Sequence, residues 1–227
     1  MFSAASVAAA LDQVRARIAA AGGGPGVAIL PVTKGFGPAA IEAAVAAGAT
    51  AVGENYVQEL VAKLDALAPS GSPIPAVHLI GQLQTNKVKH VAGRAAVYET
   101  VDRPKLAAEI AKRDPGATVL IQVDTSGEPG KGGCPLAGVD ALADTVTGLG
   151  LVLAGLMTVG PTEGGPEAAR PGFRAVRAAV DRLGLETCSM GMSGDLDVAV
   201  QEGSTQVRIG TALFGSRSVP PTGVQPR

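Results

Sequence analysis

The chain has 227 residues, 46% of them hydrophobic and 17% charged, with a formal net charge of −1. A charge so near zero excludes broad electrostatic affinity for nucleic acid or membrane surfaces, and charged residues break every long apolar run, leaving no transmembrane span. Cys134 and Cys188 have no metal-ligand spacing and imply no disulfide framework, so a reduced, cytoplasmic protein without a metal site is expected.

An amphipathic helix is expected from near Ser3; Asp12, Arg15 and Arg17 interrupt it and distinguish it from a signal peptide. Val27 to Val32 is an apolar run between glycine-rich segments, which reads as a strand buried on both faces, and it ends in Thr33-Lys34. Pro31 is awkward in a central strand and points to a bulge or a last, unpaired residue. A helix follows, with Pro38 first and Gly48 as its C-cap. Thr50 to Gly53 is a short strand, and Tyr56 to Leu67 is helical by the spacing of Val57, Leu60, Val61 and Leu64. Further strands are expected at 76–80, 97–99, 119–123, 151–157, 186–190 and 205–209. The intervening helices run through 87–90, 103–113, 136–149, 166–183 and 195–201.

Eight alternating strand and helix units imply parallel pairing through right-handed crossovers. In about 200 residues they fit one (β/α)8 barrel with an extra N-terminal helix, with an open doubly wound sheet as the alternative. Residues 1–217 would form the barrel, and 218–227, with three prolines, a disordered tail.

In a barrel, chemistry gathers at the C-terminal ends of the strands. Those ends carry Lys34, Glu54-Asn55, Gly81-Gln82, Thr100, Asp124, Thr158, Gly191-Met192-Ser193 and Gly210-Thr211. The last two sets combine glycine with a neighbouring hydroxyl, as phosphate cradles after strands seven and eight do. A lysine at the first strand's end is either the point where the strand reaches water or a Schiff-base nucleophile. Several of these residues have plainer readings. Asn55, with Gln58 three residues on, looks like a helix N-cap, and Ser193 could cap the helix near Asp195. Arg208 could be an ordinary ion-pair partner. His78 is read as a hydrogen-bonded structural residue, Glu54 and Glu99 as partners for cations, and Lys87, Lys89, His90 and Arg94 as a solvated helix face. Cys188 is read as buried and inert; Cys134 has no assigned role.

The blocks Val32-Thr33-Lys34, Gly53-Glu54-Asn55-Tyr56-Val57-Gln58-Glu59, His78-Leu79-Ile80-Gly81-Gln82-Leu83-Gln84-Thr85-Asn86-Lys87, Gly155-Leu156-Met157, Ser189 to Asp195 and Gly203 to Gly215 occur in this order. Together they resemble the YggS/PROSC family of pyridoxal-phosphate homeostasis proteins. That resemblance implies a fold type III barrel similar to the alanine racemase N-terminal domain, with pyridoxal 5′-phosphate (PLP) held as an internal aldimine on Lys34. It implies that Ser193, Gly210 and Thr211 hold the phosphate, that Met192 also belongs to the cofactor site, that Arg208 faces the pyridine nitrogen and that Asn55 lies against the ring. A guanidinium there disfavours ring protonation and leaves the cofactor a poorer carbanion stabiliser than an aspartate would.

The function implied is a monomeric PLP carrier of intracellular homeostasis that delivers the cofactor to apo-enzymes. The alternative is a PLP-dependent amino-acid racemase of low activity, and a third is a cofactor-free aldolase using Lys34. Racemisation needs proton donors and acceptors on both faces of the α-carbon. In racemases of this type one face is served by a tyrosine of a second domain, whereas Tyr56 and Tyr98 both lie in the barrel half. A non-enzyme is therefore expected.

Overall fold

The computed structural model describes residues 3–216; the tail at 218–227 lies outside the described residues. Its first helix, α1 (Ala4–Ala20), begins at Ser3, whose Oγ accepts from the Ser6 N–H at 3.0 Å while Ser6 Oγ accepts from the Ser3 N–H at 3.1 Å. Val7, Leu11, Val14 and Ile18 follow the helical period and are buried. No helix among the described residues is long and apolar enough to cross a membrane.

The strands that follow are β1 (Ala28–Pro31), β2 (Ala51–Glu54), β3 (Ala76–Leu79), β4 (Val97–Val101), β5 (Thr118–Asp124), β6 (Cys134–Pro135), β7 (Val152–Thr158), β8 (Thr187–Ser189) and β9 (Gln206–Ile209). The crossovers carry α2 (Pro38–Ala46), α3 (Val57–Leu67), α4 (Val88–Val91), α5 (Pro104–Arg113), α6 (Val139–Gly148), α7 (Arg170–Arg182) and α8 (Leu196–Gln201), and α9 (Thr211–Phe214) follows β9. Pairing is parallel throughout, in the order β1-β9-β8-β7-β5-β4-β3-β2. A bridge between Val32 and Gly53 joins the two ends, so the sheet is a closed (β/α)8 barrel rather than an open doubly wound sheet.

Pro31 explains why that seam is short. The N–H groups of Ala28 and Val32 point to β9, and that of Thr33 points to β2, where it reaches Gly53 O at 3.0 Å. By alternation the absent N–H of Pro31 falls on the β2 side, so the ladder there can begin only beyond it.

Alternation also divides the core. Val207 and Ile209 of β9, with Val119, Ile121 and Val123 of β5, pack against helix residues such as Ile41, Leu60, Ile110 and Phe173. Gln206 and Arg208 of β9, Gln122 of β5, Glu99 of β4 and Ser189 of β8 are buried as well, and they point into the barrel. The interior therefore holds an unusual amount of polar chemistry for a packed barrel.

Some boundaries differ from the sequence expectation. Tyr56, with extended backbone, is the N-cap of α3, so Asn55 is not the cap residue. Asp195, not Ser193, precedes α8, and its Oδ1 accepts from the Met192 N–H at 2.6 Å. Ala47 caps α2, and Gly48 follows it at φ +91°. The helices expected from 136 and from 166 each begin with a 3-10 turn. The short β6, unforeseen in the sequence, pairs Cys134 with Val123 beside β5. Both cysteines are buried with their thiols pushed up to about 11 by burial, which makes them poor nucleophiles, as expected for Cys188.

Candidate functional site

A cleft of about 500 Å³ opens at the C-terminal ends of the strands. Lys34, Asn55, Met192, Ser193, Arg208, Gly210 and Thr211 all line it, together with Val32, Ile80, Val159 and Gly194. Lys34 and Arg208 are its two lining residues with ionisable side chains. A second cleft, about 540 Å³, lies at the opposite end of the barrel between α1 and β1; its one charged lining residue, Arg15, is paired with Asp12. Only the first brings together groups of complementary chemistry.

Arg208 points inward from β9 and is 4% exposed. Its Nη1 donates to Ser189 O at 2.7 Å and Ser189 Oγ at 2.9 Å, and its Nη2 to Thr158 O at 2.7 Å. Three of the five guanidinium N–H groups are thus used by the barrel wall, which fixes the plane of the fork. Behind it stands Glu99, fully buried. Its Oε1 accepts from Gln206 Nε2 at 2.7 Å and lies 2.6 Å from His78 Nδ1, and its Oε2 accepts from Ser189 Oγ at 2.7 Å. Burial alone would push this carboxyl up. The hydrogen bond and charge of His78, with the Arg208 charge and the Ser189 bond, bring it below the ordinary carboxylate range. Burial pushes the Arg208 guanidinium down, and Glu99 opposes that shift. His78 thus has the structural role read for it, and Glu99 is held by His78, Gln206 and Ser189, with Arg208 acting on it by charge rather than by a direct ion pair.

The loop after β8 is braced from two sides. Gly191 sits at φ +95°, where a Cβ would also lie 2.5 Å from Ala199 Cβ, so the loop packs directly on α8. From the other side, Arg17 of α1 donates from Nη1 to Ser193 O at 2.7 Å while its Nε and Nη2 hold Asp197 at 2.7 and 2.8 Å. Gly210 keeps the neighbouring wall low: a Cβ there would lie 3.3 Å from Val32 O. The chain turns into α9 at this point, and the first N–H groups of a helix have no acceptor within it. Together these features describe a site with one amine, one guanidinium fork, two hydroxyls and exposed backbone at glycine. Such a set accepts a small phosphorylated ligand that also carries an electrophilic carbon.

Residues 6–218 match the family of the alanine racemase N-terminal domain. The chain belongs to this family. Within it, the chain is 39% identical over 221 residues to the pyridoxal phosphate homeostasis protein of Pseudomonas aeruginosa, covering 93% of this chain and 94% of that one. It is also 39% identical to the protein of that name in Escherichia coli K12, over 91% of this chain and 95% of that one. Among solved structures, PipY of Synechococcus elongatus with PLP bound superposes with a TM-score of 0.81 at 30% identity, over 92% of this chain and all of that one. The barrel expected from the sequence is thus the barrel of the family.

Sequence reading did not find Arg17, Gln206 or the lysine and glutamate of α3 described below. Arg17 carried no local signal. Gln206 and Arg208 share the inward face of one strand, and that period of two was the signal available for Gln206.

Proposed function

We propose that this protein binds pyridoxal 5′-phosphate reversibly in the barrel mouth and serves as a carrier in cytoplasmic PLP homeostasis; its relatives are named pyridoxal phosphate homeostasis proteins. The observation that carries this reading is the meeting of Lys34 with Arg208, Ser193, Gly210 and Thr211 in one cleft. The residues fit the cofactor, since the donors are cationic or neutral and glycine leaves room for phosphate oxygens near backbone. When bound, the cofactor supplies an aldehyde carbon that condenses with a primary amine, releasing one water. Lys34 provides that amine. Ser193 and Thr211 would offer hydroxyls and Gly210 its backbone to the phosphate, with Met192 lining the cleft beside them. Arg208, held by Ser189 and Thr158, would offer its remaining N–H groups to the pyridine nitrogen, and Asn55 would flank the ring.

A carrier, rather than an enzyme, fits the proton chemistry of the cleft. Arg208 stays protonated, which leaves Lys34 as the one lining group able to take a proton from an α-carbon. Neither tyrosine lines the cleft: Tyr98 is buried with its hydroxyl on Asp114 at 2.8 Å, and Tyr56 starts α3. The reading includes delivery to apo-enzymes by a monomer, the latter on the resemblance alone. Two free, buried cysteines suit a reducing compartment.

Cofactor-loaded protein should leave L-alanine and L-serine unracemised over hours, yet restore activity to an apo-aminotransferase mixed with it. Steady formation of the D-amino acid, lost in Lys34→Ala, would overturn the carrier reading in favour of a racemase.

A further inference from the structure

Lys63 of α3 is 4% exposed and Glu54 at the end of β2 is fully buried, and they meet at 2.6 Å. A buried ion pair is a poor source of stability, because desolvating both charges offsets their attraction. The pair has another feature that stability alone does not explain: Glu54 Oε2 is buried with no hydrogen-bond partner among the described residues. Its placement relative to Lys34 gives it a purpose.

The Lys63 ammonium also donates to Thr33 O at 2.8 Å, which is the peptide immediately before Lys34. Glu59, one turn earlier on α3 and 3.5 Å from the same ammonium, accepts from the Gly35 N–H at 2.8 Å, the peptide immediately after Lys34. Thr33 Oγ1 donates to Glu54 Oε1 at 2.5 Å, which ties the end of β1 to the end of β2. The sheet itself holds this stretch weakly, since β1 ends at Pro31 and the seam to β2 is one bridge. Gly35 then turns away at φ +76°. The peptides on both sides of Lys34 are therefore fixed by α3 side chains rather than by a strand ladder.

We infer that Lys63, Glu54 and Glu59 form a clamp that positions Lys34 for cofactor attachment. The inference rests on the reading of Lys34 given above. These are positioning residues; none of them lines the cleft. A reacting amine misplaced by a fraction of an ångström loses much of its effective concentration, which is why its support matters.

Glu59 separates this role from folding, because it is partly exposed and its loss strands no buried cation while Glu54 remains. Wild type, Glu59→Ala, Glu59→Gln and the charge-free double variant Glu54→Gln/Lys63→Met would be mixed with PLP, and the rate of borohydride-trapped adduct at Lys34 followed by peptide mass mapping, with thermal midpoints as control. Trapping should slow about tenfold in Glu59→Ala and in the double variant, by analogy with loss of outer supports at other sites. Glu59→Gln, whose amide oxygen still accepts from Gly35, should stay within about twofold of wild type. Wild-type rates in Glu59→Ala would overturn the clamp, whether or not the double variant folds. A wild-type protein that gives no Lys34 adduct would instead overturn the attachment reading, and the clamp with it.

Discussion

Arg208→Leu is expected to cost about 3–5 kcal/mol of stability, the range for removing one partner from a buried charge network. For a chain of this size that is a fall of about 10 °C in Tm. The loss has three sources on the inner wall of the barrel. Ser189 O and Thr158 O lose a charged donor, Ser189 Oγ loses one of its partners, and Glu99 keeps its charge with less cation nearby. Adding Glu99→Gln should recover part of the loss, since the amide carries no buried charge. Thermal melts of the two variants within a degree or two of wild type would contradict the account of this network.

The same network has a signed pH dependence. The folded Glu99 carboxyl lies below its ordinary value of 4.5, so its contribution is present above that pH and disappears as pH falls through the folded value. Arg208→Leu raises the folded value towards the unfolded one. The variant, although less stable at neutral pH, should therefore lose less on acidification than wild type does.

Gly81→Ala is the second substitution with a large expected effect. The backbone at Gly81 is not in the left-handed region, so alanine is conformationally allowed, and the obstacle is close approach alone. A Cβ there would lie 2.0 Å from Asn55 O and 2.7 Å from Asn55 C and Cα. Neither side can retreat cheaply. Gly81 O is held by Thr100 Oγ1 at 2.8 Å, and the Ile80 N–H by Glu54 O at 2.9 Å. Overpacking against backbone of this kind should cost about 3 kcal/mol and push Asn55 out of the cleft. Thermal melting and PLP titration together check it, with both stability and affinity expected to fall. A variant that melts and binds like wild type would contradict the packing described.

The same contact shows where the sequence was legible and where it was not. Val119 to Val123 could be read as a strand because an apolar run bounded by turn residues has few other solutions. Lys34 stood out because it is the one cation among the residues at the strand ends. Asn55 read as an N-cap because its local pattern is that of a cap. The cap falls one residue later, at Tyr56, and Asn55 packs instead on the backbone of Gly81, twenty-six residues on, a contact that no local pattern reports. Arg17 and Ser193 meet across 176 positions, and that contact depends on how α1 lies against the barrel. Lys63 was different, since it falls on the buried stripe of Leu60, Leu64 and Leu67 and so breaks the apolar pattern of α3. A lysine there signals a buried partner, although the identity of that partner depends on which strands the helix covers.

The most direct measurement is borohydride reduction of the purified protein incubated with pyridoxal 5′-phosphate, followed by peptide mass mapping. A single phosphopyridoxyl adduct on Lys34, abolished in Lys34→Ala, is the predicted result. An unmodified Lys34 under those conditions, or an adduct on other lysines only, would contradict the assignment of the barrel mouth as the cofactor site.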